Sequence, residues 1–228
     1  MKIKVSCIQT NSFISPIENI HHVSDLIKKT IKQKPDLICL PECVGIFTDD
    51  KKKLNNFCKN DNIFLNFIKE LSKKYKVHFI IGSLPFIKLN KKFLNKSLVI
   101  NNKGEVIAEY DKINLFNVKL NSKEKYLESK LYDPGKKIKV VSLPWGKLGL
   151  SICYDIRFPD LYKKLAKNGA DFLSIPAAFT KTTGKAHWHS LIRSRAIENG
   201  CFVFAPAQCG VHQNKRETFG HSMIVDPW

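Results

Sequence analysis

Cys153 is the residue of this sequence best placed to do chemistry. It follows the apolar run Leu148-Gly149-Leu150-Ser151-Ile152 and precedes Tyr154-Asp155-Ile156-Arg157-Phe158-Pro159, where a strand must break into a turn ahead of a helix. Such a junction exposes a side chain and leaves the next backbone N–H groups free to face an oxyanion. A free thiol has a pKa of about 8.5, so near neutrality it needs an adjacent base or cation to act as a nucleophile. The histidines are poorly suited to that task. His187 and His189 flank Trp188 and point to different faces of one helix, His21 and His22 read as surface, and His212 falls in a loop. Glu42 in Leu40-Pro41-Glu42 and Lys112 in Tyr110-Asp111-Lys112 each lie just past a predicted strand, where open α/β folds place their sites. A glutamate there can deprotonate the thiol while a lysine holds the resulting negative charge. Taken singly, a buried structural cysteine and two exposed charges describe the same residues.

Positioning these groups needs alternating strands and helices, and the pattern supplies them. Ser15-Pro16-Ile17-Glu18 offers an N-cap serine, a proline at the first helical position and a glutamate closing a capping box. Ile17, Ile20, Val23, Leu26, Ile27 and Ile31 follow at helical spacing. Leu37–Leu40 is a short apolar strand buried on both faces and stopped by Pro41. A second helix, starting after Asn60-Asp61, carries Phe64, Leu65, Phe67, Ile68 and Leu71 and feeds a strand over Val77–Ile81. Lys92–Ile100 and Glu105–Tyr110 form a hairpin, as do Val140–Leu143 and Lys147–Ile152, with the irregular, polar stretch Asp111–Lys137 between them. Further on come a helix around Asp160–Asn168, a strand over Ala170–Ile175, a helix over His187–Asn199 closed by Gly200, and strands over Cys201–Ala205 and His221–Val225. Two stacked sheets covered by helices, a four-layer α/β arrangement in one domain, accommodate this mixture.

Composition narrows the function classes. The 228 residues carry 38 Lys+Arg against 20 Asp+Glu, a net charge of +18. The lysines cluster with asparagine, as in Lys51-Lys52-Lys53, Lys73-Lys74 and Asn90-Lys91-Lys92, with little aromatic interleaving. That reads as a solvated surface rather than a nucleic-acid footprint. No apolar run approaches the roughly 18 residues of a membrane span. Met1–Ile8 alternates as a half-buried strand rather than an export signal, which makes the cytoplasm the expected compartment, with a mitochondrial location as the alternative. Seven cysteines, an odd number, suit free thiols in a reducing environment. Cys39 and Cys43 have no second Cys or His pair to complete a metal site, so no metal is expected.

Three segments carry a family resemblance. Leu40-Pro41-Glu42, Tyr110-Asp111-Lys112-Ile113-Asn114-Leu115-Phe116 and Gly149-Leu150-Ser151-Ile152-Cys153-Tyr154-Asp155 resemble, in order over essentially the whole chain, the signature segments of the nitrilase (carbon–nitrogen hydrolase) superfamily. The stretch from Cys153 to Leu161, together with Thr183-Gly184-Lys185-Ala186-His187-Trp188, the segment from Leu191 to Glu198 and Ala207-Gln208-Cys209-Gly210, is similar to its Nit branch. The segments from Ala207 to His212 and from Gly220 to Trp228 look more like the Nit1 type, deaminated glutathione amidases, than the ω-amidase type.

The resemblance implies a four-layer α-β-β-α sandwich, with residues 1–228 as one carbon–nitrogen hydrolase domain that stops short of the family's C-terminal strand and tail. It implies a homodimer, a small amide substrate and no cofactor. By the same resemblance Cys153 is the nucleophile, Glu42 the general base, Lys112 the family's lysine, and Glu128 in Tyr126-Leu127-Glu128-Ser129 the second glutamate orienting the site. Lys112 and the Tyr154 N–H would hold the oxyanion while ammonia leaves and a thioester forms. Asn114 stands where the family usually has histidine. A carboxylate-bearing substrate asks for further donors, and Arg193, Arg195 and Thr183 are the expected ones; Arg157 and Arg195 read equally as structural ion pairs. An ω-amidase, an N-carbamoyl hydrolase and a non-catalytic basic binding or scaffold protein are the alternatives.

Overall fold

The computed structural model describes residues 2–59, 62–88, 92–119 and 125–228. Strands β1 (Val5–Cys7), β2 (Leu37–Cys39), β3 (His78–Ile87), β4 (Phe93–Ile100) and β5 (Val106–Asp111) form a first sheet in that order. β1, β2 and β3 run parallel, and β4 and β5 continue antiparallel. A small antiparallel pair, β6 (Asn117–Lys119) and β7 (Lys125–Leu127), leads to a second five-stranded sheet. That sheet holds β8 (Val140–Leu143), β9 (Gly146–Leu150), β10 (Phe172–Ser174) and β11 (Phe202–Ala205). A hairpin of β12 (Cys209–Val211) and β13 (Glu217–Phe219) then precedes β14 (Met223–Val225), which pairs antiparallel with β11 and completes the order β14-β11-β10-β9-β8.

Side-chain alternation in β2 shows how the layers stack. Leu37 and Cys39 face the second sheet, in one core with Leu148, Leu150, Leu173 and Val203. Ile38 and Leu40 face the other way, in a core with residues of three helices: α1 (Pro16–Ile31), α2 (Lys51–Lys59) and α3 (Ile63–Tyr75). The far side of the second sheet is covered by α4 (Pro159–Lys167) and α5 (Lys181–Asn199), through Tyr162, Leu165, Trp188 and Ile192. The result is the expected four-layer α-β-β-α sandwich. A strand buried on both faces needs the uninterrupted apolar run that Leu37–Leu40 provides.

Several elements differ from the sequence expectation. α2 is unanticipated because its apolar stripe is only Leu54 and Phe57 amid lysine and asparagine; Asp50 starts it by accepting from the N–H groups of Lys52 and Lys53. α3 begins at Ile63 with Asn62 as its N-cap, while Asn60-Asp61 lie outside the described residues. α5 begins six residues before His187, capped by Thr180. Its Gly184 sits where a Cβ would come within 2.3 Å of the Phe219 side chain, so a residue that argues against a helix locally is required by packing from β13. β3 runs on to Ile87, and the stretch read as irregular holds β6, β7 and a 3-10 turn over Glu128–Lys130.

Gly82 in β3 lies against the end of β2. A Cβ there would stand 2.2 Å from the Leu40 carbonyl oxygen and 2.4 Å from the Pro41 carbonyl carbon. Neither is a flexible side-chain end, so the strand delivering Glu42 would have to move. Gly82→Ala is expected to lower unfolding stability by about 2–3 kcal/mol or more, as overpacking does. Chemical denaturation measures it, and a change under about 0.5 kcal/mol, the scale of an unremarkable surface substitution, would contradict this packing.

Candidate active site

Glu42, Lys112 and Cys153 come from three strand ends and meet in one cavity of about 170 Å3. Glu42 follows β2, Lys112 follows β5, and Cys153 opens a 3-10 turn just past β9. They are 4%, 2% and 6% exposed, so each reactive group is almost dry. Cys153 adopts φ +49°, a left-handed conformation that costs a residue with a Cβ of order 1 kcal/mol or more. The turn that imposes it also aims the thiol into the cavity. Tyr154 lies in the first turn of the 3-10 segment, where backbone N–H groups have no partner within the helix.

The polar atoms form one network. The Lys112 amine donates to Glu42 Oε1 at 2.8 Å and to Glu128 Oε2 at 3.0 Å. Asn95 Nδ2, from β4, donates to Glu42 Oε1 at 3.0 Å and to Glu128 Oε1 at 3.1 Å. The remaining Glu42 oxygen accepts from the Ala178 N–H at 2.9 Å, and Glu128 Oε2 accepts from the Phe116 N–H at 2.6 Å. Gln208 donates to the Glu42 carbonyl at 2.9 Å and to Ser12 Oγ at 2.7 Å, fixing the backbone on which the carboxylate rides. The Cys153 turn is tied to the Lys112 loop through Asp155. Its carboxylate accepts from the Ile152 N–H, the Tyr110 hydroxyl, and both the N–H and Nδ2 of Asn114. Asn114 therefore supplies a structural link.

Protonation follows from these contacts. Burial pushes the Glu42 carboxyl up, but the Lys112 charge and hydrogen bond, with the Cys153 hydrogen bond and the Arg216 charge, outweigh it and hold it below the usual range. Burial pulls Lys112 down, and Glu128 and Glu42 together more than reverse that, leaving its amine well above the ordinary lysine value. Burial and the Glu42 charge push the Cys153 thiol far up, and its hydrogen bond to Glu42 adds to the effect. The resting pair is a neutral thiol beside an ionised glutamate.

The expected substrate donors fare differently. Thr183 is buried in the first turn of α5, sharing a hydrogen bond with Thr180, and it lines a narrow cleft beside Cys153. Arg193 is exposed on α5 and Arg195 is turned inward, where it donates to the Ile156 carbonyl and pairs with Glu198. Neither arginine lines the cavity, which corrects the expectation placed on them: Arg195 serves the packing of α5 on the turn Cys153–Arg157. Among the cavity residues that escaped sequence reading are Asn95 and Arg216. Asn95 was legible in principle, as a polar residue in phase with the buried Phe93 and Ser97 along a strand. Arg216 sits in the charged turn Asn214-Lys215-Arg216-Glu217, which gives no sign of facing a site.

The family profile described as carbon–nitrogen hydrolase matches residues 4–228. The chain belongs to this family. It is a hydrolase of carbon–nitrogen bonds other than peptide bonds. It is 38% identical over 227 residues to a deaminated glutathione amidase of Synechocystis, spanning 98% of this chain and 84% of that protein. The crystal structure of the Caenorhabditis elegans NitFhit protein matches with a TM-score of 0.92 at 37% identity, over 99% of this chain and 56% of that one. The crystal structure of Saccharomyces cerevisiae Nit3, a member of branch 10 of the nitrilase superfamily, matches with a TM-score of 0.87 at 30% identity, over 99% and 82% of the two chains.

The thiol–carboxylate pair of this hydrolase predicts its pH behaviour. If Glu42 takes the thiol proton during attack, kcat/KM stays flat from about pH 6 to 8 and falls only below the usual glutamate pKa of about 4.3. The lowered Glu42 value acts on stability in the same direction: its contribution is present above the unfolded-state pKa and is lost as pH falls through the folded one. A rate that climbs about tenfold per pH unit across neutrality would instead mean that solution must ionise the raised thiol first.

Proposed function

We propose that this chain is a thiol amidase that hydrolyses a small carboxylate-bearing amide of the deaminated glutathione type through a Cys153 thioester. The observation that carries the reading is the convergence of a thiol, an ionised glutamate and a buried lysine on one cavity. As Cys153 attacks the amide carbonyl, its proton passes to Glu42. Lys112 and the Tyr154 N–H hold the oxyanion, one such donor being worth roughly 2.7–4 kcal/mol. The tetrahedral adduct collapses, the C–N bond breaks, and Glu42 hands its proton to the leaving nitrogen. A primary amide releases ammonia, whereas an N-substituted amide, such as those of deaminated glutathione, releases an amine. Water then gives a proton to Glu42 and its oxygen to the thioester carbonyl, freeing the acid and restoring the thiol. Glu128 keeps Lys112 charged and in place throughout.

Similarity to the Synechocystis amidase supports the substrate class. An ω-amidase is the second reading, favoured by 33% identity to the yeast protein named omega-amidase NIT3. Assembly as a homodimer belongs to the same proposal and rests on the family resemblance. A panel of deaminated glutathione, short ω-monoamides of dicarboxylic acids and N-carbamoyl amino acids, scored for the released ammonia or amine, tests the choice. Preference for deaminated glutathione supports the first reading, preference for the short monoamides supports the second, and turnover of none removes both.

A further inference from the structure

Arg216 differs from the other inward-facing cations in lining both the main cavity and the narrow cleft; Arg157, which also takes no carboxylate partner among the described residues, lines the cleft alone and shares a hydrogen bond with His187. Lys112 is paired with Glu42 and Glu128, and Arg195 with Glu198. Among the described residues no carboxylate lies within ion-pair distance of Arg216. Its Nε is buried without a hydrogen-bond partner, a state that native structures rarely leave uncompensated. The guanidinium is nevertheless held in place. Nη2 donates to the Ala178 carbonyl at 2.7 Å, and the group packs on two rings, 5.5 Å from the Phe47 centre and 5.1 Å from that of Tyr126. The β12–β13 hairpin that presents it is fixed by His212, which stacks on Phe47 at 3.7 Å and bonds Ser12 and Thr218.

Arg216 and Cys153 both line the main cavity and the narrow cleft that joins it. Ala178 connects this arginine to the chemistry directly, since its N–H bonds Glu42 and its carbonyl accepts from Arg216. A half-buried guanidinium held on two rings and lining the cavity, one residue's span from the general base, is a receptor for a planar anion. We propose that Arg216 is the specificity-determining residue that binds the substrate's carboxylate, a few bonds from the scissile carbonyl. The assignment deepens the amidase reading and rests on it for the identity of the ligand. It also gives the cavity the anion receptor that Arg193 and Arg195 do not supply.

Calorimetry on the Cys153→Ser protein isolates binding from turnover, using glutaramate, which has one amide and one carboxylate, and its neutral counterpart glutaramide. Glutaramate is expected to bind at least about 10-fold more tightly, as a charge-assisted hydrogen-bond pair allows. Arg216→Gln on that background should weaken glutaramate by about 10- to 100-fold and glutaramide by less than about threefold. Arg216→Lys, which keeps the charge but not the fork, should fall between, and serves if the glutamine variant does not fold. Equal affinity for the two probes, no binding of either, or an equal loss of both in the variants would overturn the assignment. Failure of the amidase reading shows separately, as a wild-type protein that hydrolyses neither probe nor any amide of the substrate panel.

Discussion

In the Cys153→Ala protein, amide turnover is expected to fall by at least about 10^4-fold, with little change in unfolding stability. The other cysteine lining the cavity, Cys43, is held as a neutral thiol by burial and the Glu42 charge, without the Glu42 hydrogen bond that Cys153 makes. Glu42 and Glu128 are both engaged by Lys112 and Asn95, and the Lys112 amine is held protonated. Stability should hold because the alanine relieves a thiol confined in a dry site and removes only one small side chain. The left-handed backbone at this position is expected to persist in the variant, since alanine also carries a Cβ and relieves none of its cost. Steady-state rates together with thermal melting check both halves. Residual turnover within about 10-fold of wild type would mean that water, not sulfur, attacks the amide.

Lys112→Met has the second-largest expected effect, and it acts on the fold as well as the chemistry. The lysine lies between two carboxylates that also share the Asn95 amide, so its removal leaves the buried Glu42 charge facing that of the half-buried Glu128. Breaking a buried ion pair in this way costs about 3–5 kcal/mol, and one of the two acids must take up a proton. Turnover should fall by about 10^3-fold or more, since an oxyanion donor is lost and the base is partly neutralised. Adding Glu128→Gln should recover much of the stability, because one of the stranded charges is gone, but not the activity. If the single variant is as stable as wild type, the charges described here are not opposed in the folded protein.

The parts of the site legible in the sequence are those set by local chain geometry. Leu37–Leu40 is apolar at every position and ends at a proline, so both its burial and the exit of Glu42 follow from four residues. Cys153 was legible for the same reason, at the break between an apolar strand and a turn. Glu128 gave no such sign. Its place depends on the Phe116 N–H and the Lys112 amine, which reach it through a short 3-10 turn inside a polar stretch. Arg216 was hidden by its neighbours, because a turn of asparagine, lysine, arginine and glutamate looks like solvent-exposed surface whichever way one side chain points. Arg195 misled for the opposite reason. Its closeness to the motif-rich segment suggested substrate, whereas Glu198 three residues on already offered the partner it takes.

Mass spectrometry of the intact protein, quenched during turnover of a slowly hydrolysed amide, addresses the shared cavity most directly. The account predicts a mass increase equal to the acyl group, mapped to the peptide bearing Cys153, absent from Cys153→Ala and longer-lived in Glu42→Gln, where water lacks its base. Full turnover with no covalent adduct at Cys153, and with hydrolysis surviving in the alanine protein, would contradict it.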